Sequence, residues 1–166
     1  MSTLKKERIA IVPGSFDPIT IGHIDLVRRA AEQYDLVYLA VMINRDKEYT
    51  FTLEERRRLA EVALRDIADV KVISSDGMLW ELARDLGACA IVKGYRNEID
   101  LAYEKKMAEY NRAHNPDAQT ILLKSDERLV SVSSTAVREK LNQRESLTEY
   151  LPNSVIEEID VIFSER

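Results

Sequence analysis

Five short apolar runs, at residues 8–12, 36–43, 70–74, 89–93 and 120–124, alternate along the chain with stretches of helical periodicity. No other feature restricts the fold as strongly. The first two runs are apolar throughout, a pattern expected when helices cover both faces of a sheet and no face is wet. Strand and helix in regular alternation imply parallel strands joined by helical crossovers. The expected fold class is therefore α/β, a Rossmann-like doubly wound five-stranded parallel sheet with helices on both faces. In such a sheet the ligand crevice opens beyond the carboxyl ends of the strands. A length of 166 residues at 45% hydrophobic content suffices for one compact core, and a single domain over residues 1–166 is expected.

The helical stretches carry their own start and stop signals. The first is expected over residues 22–34. Thr52-Leu53-Glu54-Glu55 reads as a capping box opening a helix to residue 67, the Thr52 hydroxyl serving the N3 amide while Glu55 reaches back. A third helix over 79–86 stops at Gly87, which takes a left-handed cap without a Cβ penalty. A long helix over 98–114 is broken by Asn115-Pro116. Two further helices are expected, one from Ser133-Ser134-Thr135 to residue 142 and one after Pro152, where proline suits the first turn.

Composition removes several classes of function. The formal charge is −5, from 29 acidic and 24 basic residues, so nothing draws the whole chain to nucleic acid or to an anionic membrane. No window approaches the 18 apolar residues of a membrane span, and the expected location is cytoplasmic. The one cysteine, Cys89, excludes an intramolecular disulfide framework and reads as a small buried strand residue within Ala88-Cys89-Ala90-Ile91-Val92.

The carboxyl ends of the five runs collect a particular chemistry. Pro13-Gly14-Ser15-Phe16-Asp17-Pro18-Ile19-Thr20-Ile21-Gly22-His23 turns the first strand into a helix through a small polar loop. A helix start offers backbone N–H groups and a positive dipole end to phosphate, and Gly22 lets a ligand come close to that backbone. Lys47, Lys93, Arg96 and His23 then supply cations or N–H donors, while Ser15, Ser133, Ser134 and Thr135 supply hydroxyls near helix starts. Asp17 and Glu55 read as structural, one for its turn and one for its capping box, Trp80 as helix packing and His114 as surface. The chain lacks a GxxxxGK[ST] loop, a GxGxxG after the first strand, zinc spacing, and any Ser-His-acid or GxSxG arrangement.

These residues carry a resemblance. Thr20-x-Gly22-His23 looks like the T/HxGH signature of the nucleotidylyltransferase superfamily, and Ser133-Ser134-Thr135 with Arg138 resembles its second signature, ISSTxxR. Further matches at Asp25, Arg29-Ala30, Lys47, Phe51 to Arg56, Gly77-Met78-Leu79, Lys93-Gly94-Tyr95-Arg96 and Tyr103-Glu104 extend the similarity to bacterial phosphopantetheine adenylyltransferases over essentially the whole chain.

The resemblance implies ATP and 4'-phosphopantetheine as substrates, Mg2+ accompanying the triphosphate, a homohexamer, and no nucleic-acid or membrane partner. By the same resemblance His23, Lys47 and Arg96 are catalytic. Ser15, Lys47, Leu79 and Lys93 hold the acceptor. Ser15, Phe16, His23, Gly94, Tyr95, Arg96, Glu104, Leu129, Val130, Ser131, Val132, Ser133, Ser134 and Thr135 contact ATP. No carboxylate reads as a dedicated metal ligand, since Mg2+ keeps waters and uses substrate oxygens. Two positions depart from the family pattern: Ser15 stands where threonine is frequent, and Lys93 where arginine is usual. Lysine lacks the planar fork that grips a phosphate edge, so a looser hold on the acceptor phosphate is expected. A different phosphorylated acceptor, or a nucleotide sensor without catalysis, are the alternative readings.

Overall fold

The computed structural model describes residues 4–166. Strands β1 (Ile9–Gly14), β2 (Leu36–Met42), β3 (Val70–Ser75), β4 (Ala90–Tyr95) and β5 (Gln119–Lys124) form one parallel sheet in the order β3-β2-β1-β4-β5. Among the described residues the connecting helices are α1 (Ile21–Gln33), α2 (Leu53–Leu64), α3 (Leu79–Leu86), α4 (Glu98–His114), α5 (Ser134–Gln143) and α6 (Asn153–Ser164), with a 3-10 turn at Glu127–Leu129. The chain moves outward from β1 to β3 and then returns to place β4 on the other side of β1. That reversal is the topological switch point at which α/β sheets open their crevice.

Alternate residues of each strand serve opposite faces. Ala10 and Val12 of β1 join a large core with residues of α1, α2, α5 and α6, whereas Ile11, Ala40 and Ile91 enter a smaller core containing Ala83 of α3. Val27, Leu39, Phe51, Leu59 and Val155 are wholly buried, each contributing roughly 1.5–3 kcal/mol by removal from water. Burial on both faces holds for the central strands. The edge strands β3 and β5 are mostly half-buried, because each has only one neighbouring strand.

Several ends differ from the sequence expectation. β1 runs on to Gly14 because Pro13 and Gly14 stay in register with Ala40 and Val41, and β4 runs on to Tyr95 because Gly94 and Tyr95 stay paired with Leu123 and Lys124. α1 starts one residue early, at Ile21, where Thr20 caps it. α2 ends at Leu64, short of residue 67, and the chain then turns through Asp69 at φ 59°. β2 stops at Met42. α3 and α4 match the expected spans, Gly87 closing α3 in the left-handed conformation at φ 65°. Cys89 precedes β4 and is only half-buried, which corrects the buried-strand reading, although its N–H still donates to the Ile9 carbonyl at 2.9 Å. Trp80 packs as expected, its ring stacked on His114 at 5.2 Å between centroids, and His114 is exposed.

The sheet also makes the opening that a ligand needs. β1 pairs with β2 over all six of its residues but with β4 only at Ala10–Ala90 and Ile11–Ile91. Beyond that point the two strands part, and the Pro13–Phe16 turn faces the Lys93–Arg96 segment across the gap.

Candidate active site

A cleft of about 700 Å³ occupies this gap. Ser15, Phe16, His23, Lys47, Leu79, Lys93, Gly94, Arg96 and Glu104 line it, as do Leu129, Val132, Ser133, Ser134 and Thr135. Three residues expected in the wall are not there: Tyr95, Val130 and Ser131. The Val132 N–H donates to the Leu129 carbonyl at 3.0 Å, a tight turn that leaves Leu129 and Val132 inward and the tip residues Val130 and Ser131 exposed. Tyr95, half-buried at the end of β4, does not line the cleft.

His23 is both a cap and a cleft residue. Thr20 caps α1 by accepting from the His23 N–H at 3.4 Å, and the His23 Nδ1 in turn accepts from the Thr20 N–H at 3.0 Å. Burial, reinforced by the nearby Lys93 and Arg96 charges, lowers the His23 pKa to about 4. The ring is therefore neutral at physiological pH, and with Nδ1 occupied as an acceptor its proton resides on Nε2. The Phe16 ring meets the imidazole edge-on at 5.0 Å between centroids. Phe16 is held at φ 49°, and a Cβ at Gly14 would lie 3.0 Å from its ring, so this turn depends on a glycine there.

Asp17 is structural, as expected. It is buried, its carboxylate accepting from the N–H groups of Thr50 and Phe51 at 2.9 Å each. Glu55 likewise closes the α2 capping box with Thr52 and pairs with Arg166. The start of α5 is tied to the β1 turn by two bonds, the Ser134 hydroxyl donating to the Pro18 carbonyl at 2.7 Å and Arg138 to the Asp17 carbonyl at 2.9 Å, while Arg138 also donates to Thr135 Oγ1 within the helix at 3.1 Å.

This changes what the hydroxyls can do. The Ser134 proton is committed to Pro18, so that hydroxyl is no anion donor, whereas the Ser133 hydroxyl caps α5 by accepting from the Ala136 N–H at 3.0 Å and keeps its own proton to donate. The backbone adds further donors. Neither α1 nor α5 has an acidic residue in its first turn. Among the described residues the N–H groups of Gly22, Ser134 and Thr135 have no acceptor. Two helix starts thus present open amides to one cleft, the arrangement that suits a polyphosphate.

Cations and carboxylates in the cleft are mostly paired. Lys93 Nζ lies 3.4 Å from Glu104, Arg96 Nε 3.4 Å from Asp100, and Arg29 3.9 Å from Asp25. Arg128 holds the Asp126 carboxyl at about 2 through a hydrogen-bonded ion pair. Lys47 forms no ion pair among the described residues. Asp25, Leu26 and Arg29 line the cleft without having been singled out as site residues. They fall on the Gly22 face of α1 at helical spacing, so periodicity alone could have found them. Arg138 stood in the second signature and was likewise not singled out. With each of these carboxylates engaged by a cation, and no cluster of three potential metal ligands among the described residues, the donor set suits a metal carried by a nucleotide rather than one held by the protein.

Comparison with known proteins agrees with this architecture. The cytidylyltransferase-like family matches residues 11–140. Phosphopantetheine adenylyltransferase of Streptococcus gordonii is 39% identical over 155 residues, covering 93% of this chain and 94% of the relative. The enzymes of that name from Caldanaerobacter subterraneus subsp. tengcongensis and Staphylococcus carnosus are 40% identical over 152 residues and 36% identical over 149. These cover 92% and 90% of the chain, and 95% and 92% of the relatives.

Proposed function

The chain belongs to the phosphopantetheine adenylyltransferase family, and on that premise we infer how its cleft performs adenylyl transfer. The enzyme moves the adenylyl group of ATP to 4'-phosphopantetheine, giving dephospho-coenzyme A and pyrophosphate in coenzyme A biosynthesis. A terminal oxygen of the phosphopantetheine phosphate attacks the α-phosphorus of ATP, the bond from that phosphorus to the bridging oxygen breaks, and pyrophosphate leaves with the electron pair. The attacking phosphate is ionised at neutral pH, since the second pKa of a phosphomonoester is about 6. No general base is needed, and catalysis reduces to positioning and charge stabilisation.

The open amides of α1 and α5 support a triphosphate site between the two signatures, with Ser15, Phe16, Gly94, Glu104 and the segment from Leu129 to Thr135 as its surroundings. Tyr95, Val130 and Ser131 stand outside this set. His23 donates from Nε2 to the α-phosphoryl oxygen on which charge grows. Its low pKa makes it a neutral hydrogen-bond donor, not a proton donor, so it keeps its proton throughout. Lys47, which lines the cleft without an ion-pair partner among the described residues, bridges the incoming phosphate and the α-phosphate. Arg96 stabilises the departing pyrophosphate. Lys93 holds the acceptor phosphate and Leu79 lines the pantetheine arm. Mg2+ bound with the triphosphate would supply neutralising charge there, without needing a dedicated carboxylate of the cleft to hold it.

The observation that carries this reading is the pair of ties from Ser134 and Arg138 to the Pro18 and Asp17 carbonyls, which hold two anion-binding helix starts beside one neutral imidazole. We further take the chain as one catalytic domain acting in the cytoplasm. No helix among the described residues is long and apolar enough to cross a membrane. A homohexamer is supported by the exposed apolar stripe Ile99, Tyr103, Met107 and Tyr110 along α4. The test of substrate is an acceptor panel with ATP and magnesium: pyrophosphate release with phosphopantetheine at least tenfold above that with nicotinamide mononucleotide or glycerol phosphate is expected, and the reverse order would refute the assignment.

A further inference from the structure

Arg56 is the largest fully buried side chain, 1% exposed, and it does not line the cleft. It rises from α2 beneath the carboxyl ends of β1 and β2. Its Nη1 donates to the Ser15 carbonyl at 2.8 Å and to the Met42 carbonyl at 3.1 Å, so one atom joins the ends of the two strands. Its guanidinium lies 3.8 Å above the centre of the Tyr49 ring. The Tyr49 hydroxyl accepts from the Asn44 N–H at 2.9 Å, and the Asn44 carbonyl accepts from the Lys47 N–H at 3.1 Å.

Lys47 sits on an exposed segment without helix or strand. A lysine on such a segment has no fixed place of its own, and its usefulness to a phosphate depends on the backbone that carries it. The contacts above supply that backbone with an anchor. They also bind it to the turn holding Ser15, since the same guanidinium reaches both. Among the described residues no carboxylate pairs with Arg56 at ion-pair distance. Carbonyls and a ring face dominate its surroundings, groups whose positions a planar, rigid donor fixes better than a flexible ammonium does.

We propose that Arg56 is a positioning residue for the transfer reaction, locking the Ser15 turn and, through Tyr49 and Asn44, the Lys47 segment into one frame across the cleft. This rests on the adenylyl-transfer reading of the site. It assigns a reaction role to a residue that touches neither substrate.

The experiment compares Arg56→Lys, Tyr49→Phe and Lys47→Ala, with Tyr49→Phe also placed in the Lys47→Ala background, in steady-state assays varying ATP and phosphopantetheine. ATP affinity by calorimetry and thermal melting accompany each. Arg56→Lys keeps the charge but not the fork, and is expected to lower kcat by about 10- to 100-fold, as a displacement of about 1 Å does. ATP affinity falls less than kcat, because only the Ser15 turn shifts while the open amides of α5 stay in place. Tyr49→Phe keeps the ring under the guanidinium and loses the hydroxyl that anchors Asn44, and is expected to lower kcat by about three- to tenfold while having no further effect once Lys47 is alanine.

A merely structural role would lower the melting temperature and leave kcat and ATP affinity of the folded protein unchanged, which would overturn the proposal. Equal effects of Tyr49→Phe with and without Lys47 would also overturn it. If Arg56→Lys does not fold, the Tyr49 and Lys47 cycle decides alone. Absence of pyrophosphate from the wild-type protein would instead refute the adenylyl-transfer reading beneath it.

Discussion

Replacing His23 by asparagine separates its two duties. Asparagine Oδ1 can still accept the Thr20 N–H that His23 Nδ1 now accepts at 3.0 Å, so the capping box survives, but no donor remains at the Nε2 position. If His23 acts as a neutral hydrogen-bond donor to developing charge, kcat falls by about 10²- to 10³-fold, equivalent to about 3 kcal/mol of transition-state stabilisation. ATP affinity, resting on the amides of α1 and α5, changes little. His23→Ala gives the same catalytic loss with about 1 kcal/mol less stability, because the Thr20 N–H loses its acceptor while the Thr20 cap on the backbone N–H of residue 23 remains. The pH dependence follows from a pKa near 4. His23 stays neutral from pH 5 to 8, so it adds no limb to the rate profile there.

Stability does respond to pH. Between pH 6.5 and about 4 the unfolded chain binds a proton at His23 that the folded chain refuses. Stability is therefore full above 6.5, falls as pH drops through this window, and levels off below about 4, with a total of about 3 kcal/mol as an upper limit for a cleft-facing group. Denaturant titrations of wild type and His23→Asn at pH 7 and 4.5, beside pyrophosphate assays, measure both effects. A kcat within about threefold of wild type, or a wild-type rate limb near 6.5 that disappears in the variant, would refute the reasoning.

Other perturbations bear on the rest of the site. Lys93→Arg restores a planar fork at the acceptor site, and the Michaelis constant for phosphopantetheine is expected to fall by about tenfold; an unchanged constant counts against Lys93 as the phosphate holder. Ser134→Ala removes the bond to the Pro18 carbonyl at 2.7 Å. A loss of about 1 kcal/mol in denaturation with weaker ATP binding is expected, and unaltered ATP affinity would show that this tie does not organise the nucleotide site. Met107→Lys places a charge within the exposed stripe of α4. Sizing chromatography should show a hexamer that shrinks in the variant, whereas a monomeric wild type would remove the hexamer from the account.

The fold was readable because its cause is repetitive. Short apolar runs and helical periodicity dictate a two-sided parallel sheet, and the order β3-β2-β1-β4-β5 is what outward and returning crossovers produce. Strand ends were less readable. Gly14, Gly94 and Tyr95 look like loop residues in sequence, and only their pairing with neighbouring strands keeps them extended. The signatures located both loops that line the cleft, but not how their atoms divide the work. Ser133 accepts a local cap bond from Ala136, whereas Ser134 commits its proton to Pro18, a contact 116 residues away along the chain that no local pattern announces. Tyr95, Val130 and Ser131 do not line the cleft, one at a strand end and two at an exposed turn tip whose placement depends on the surrounding fold. Arg56 could not have been found at all from its position in a capping-box helix. Its role depends on two carbonyls and a ring that only the folded sheet brings within reach.

Transfer of the α-phosphorus of ATP to the phosphate of phosphopantetheine can be followed directly. ATP labelled at the α-phosphate, incubated with the enzyme, magnesium and phosphopantetheine, should place its label in dephospho-coenzyme A with one pyrophosphate released per labelled product. Label that stays in ATP, or that appears as free AMP or ADP while phosphopantetheine is unchanged, would contradict the account.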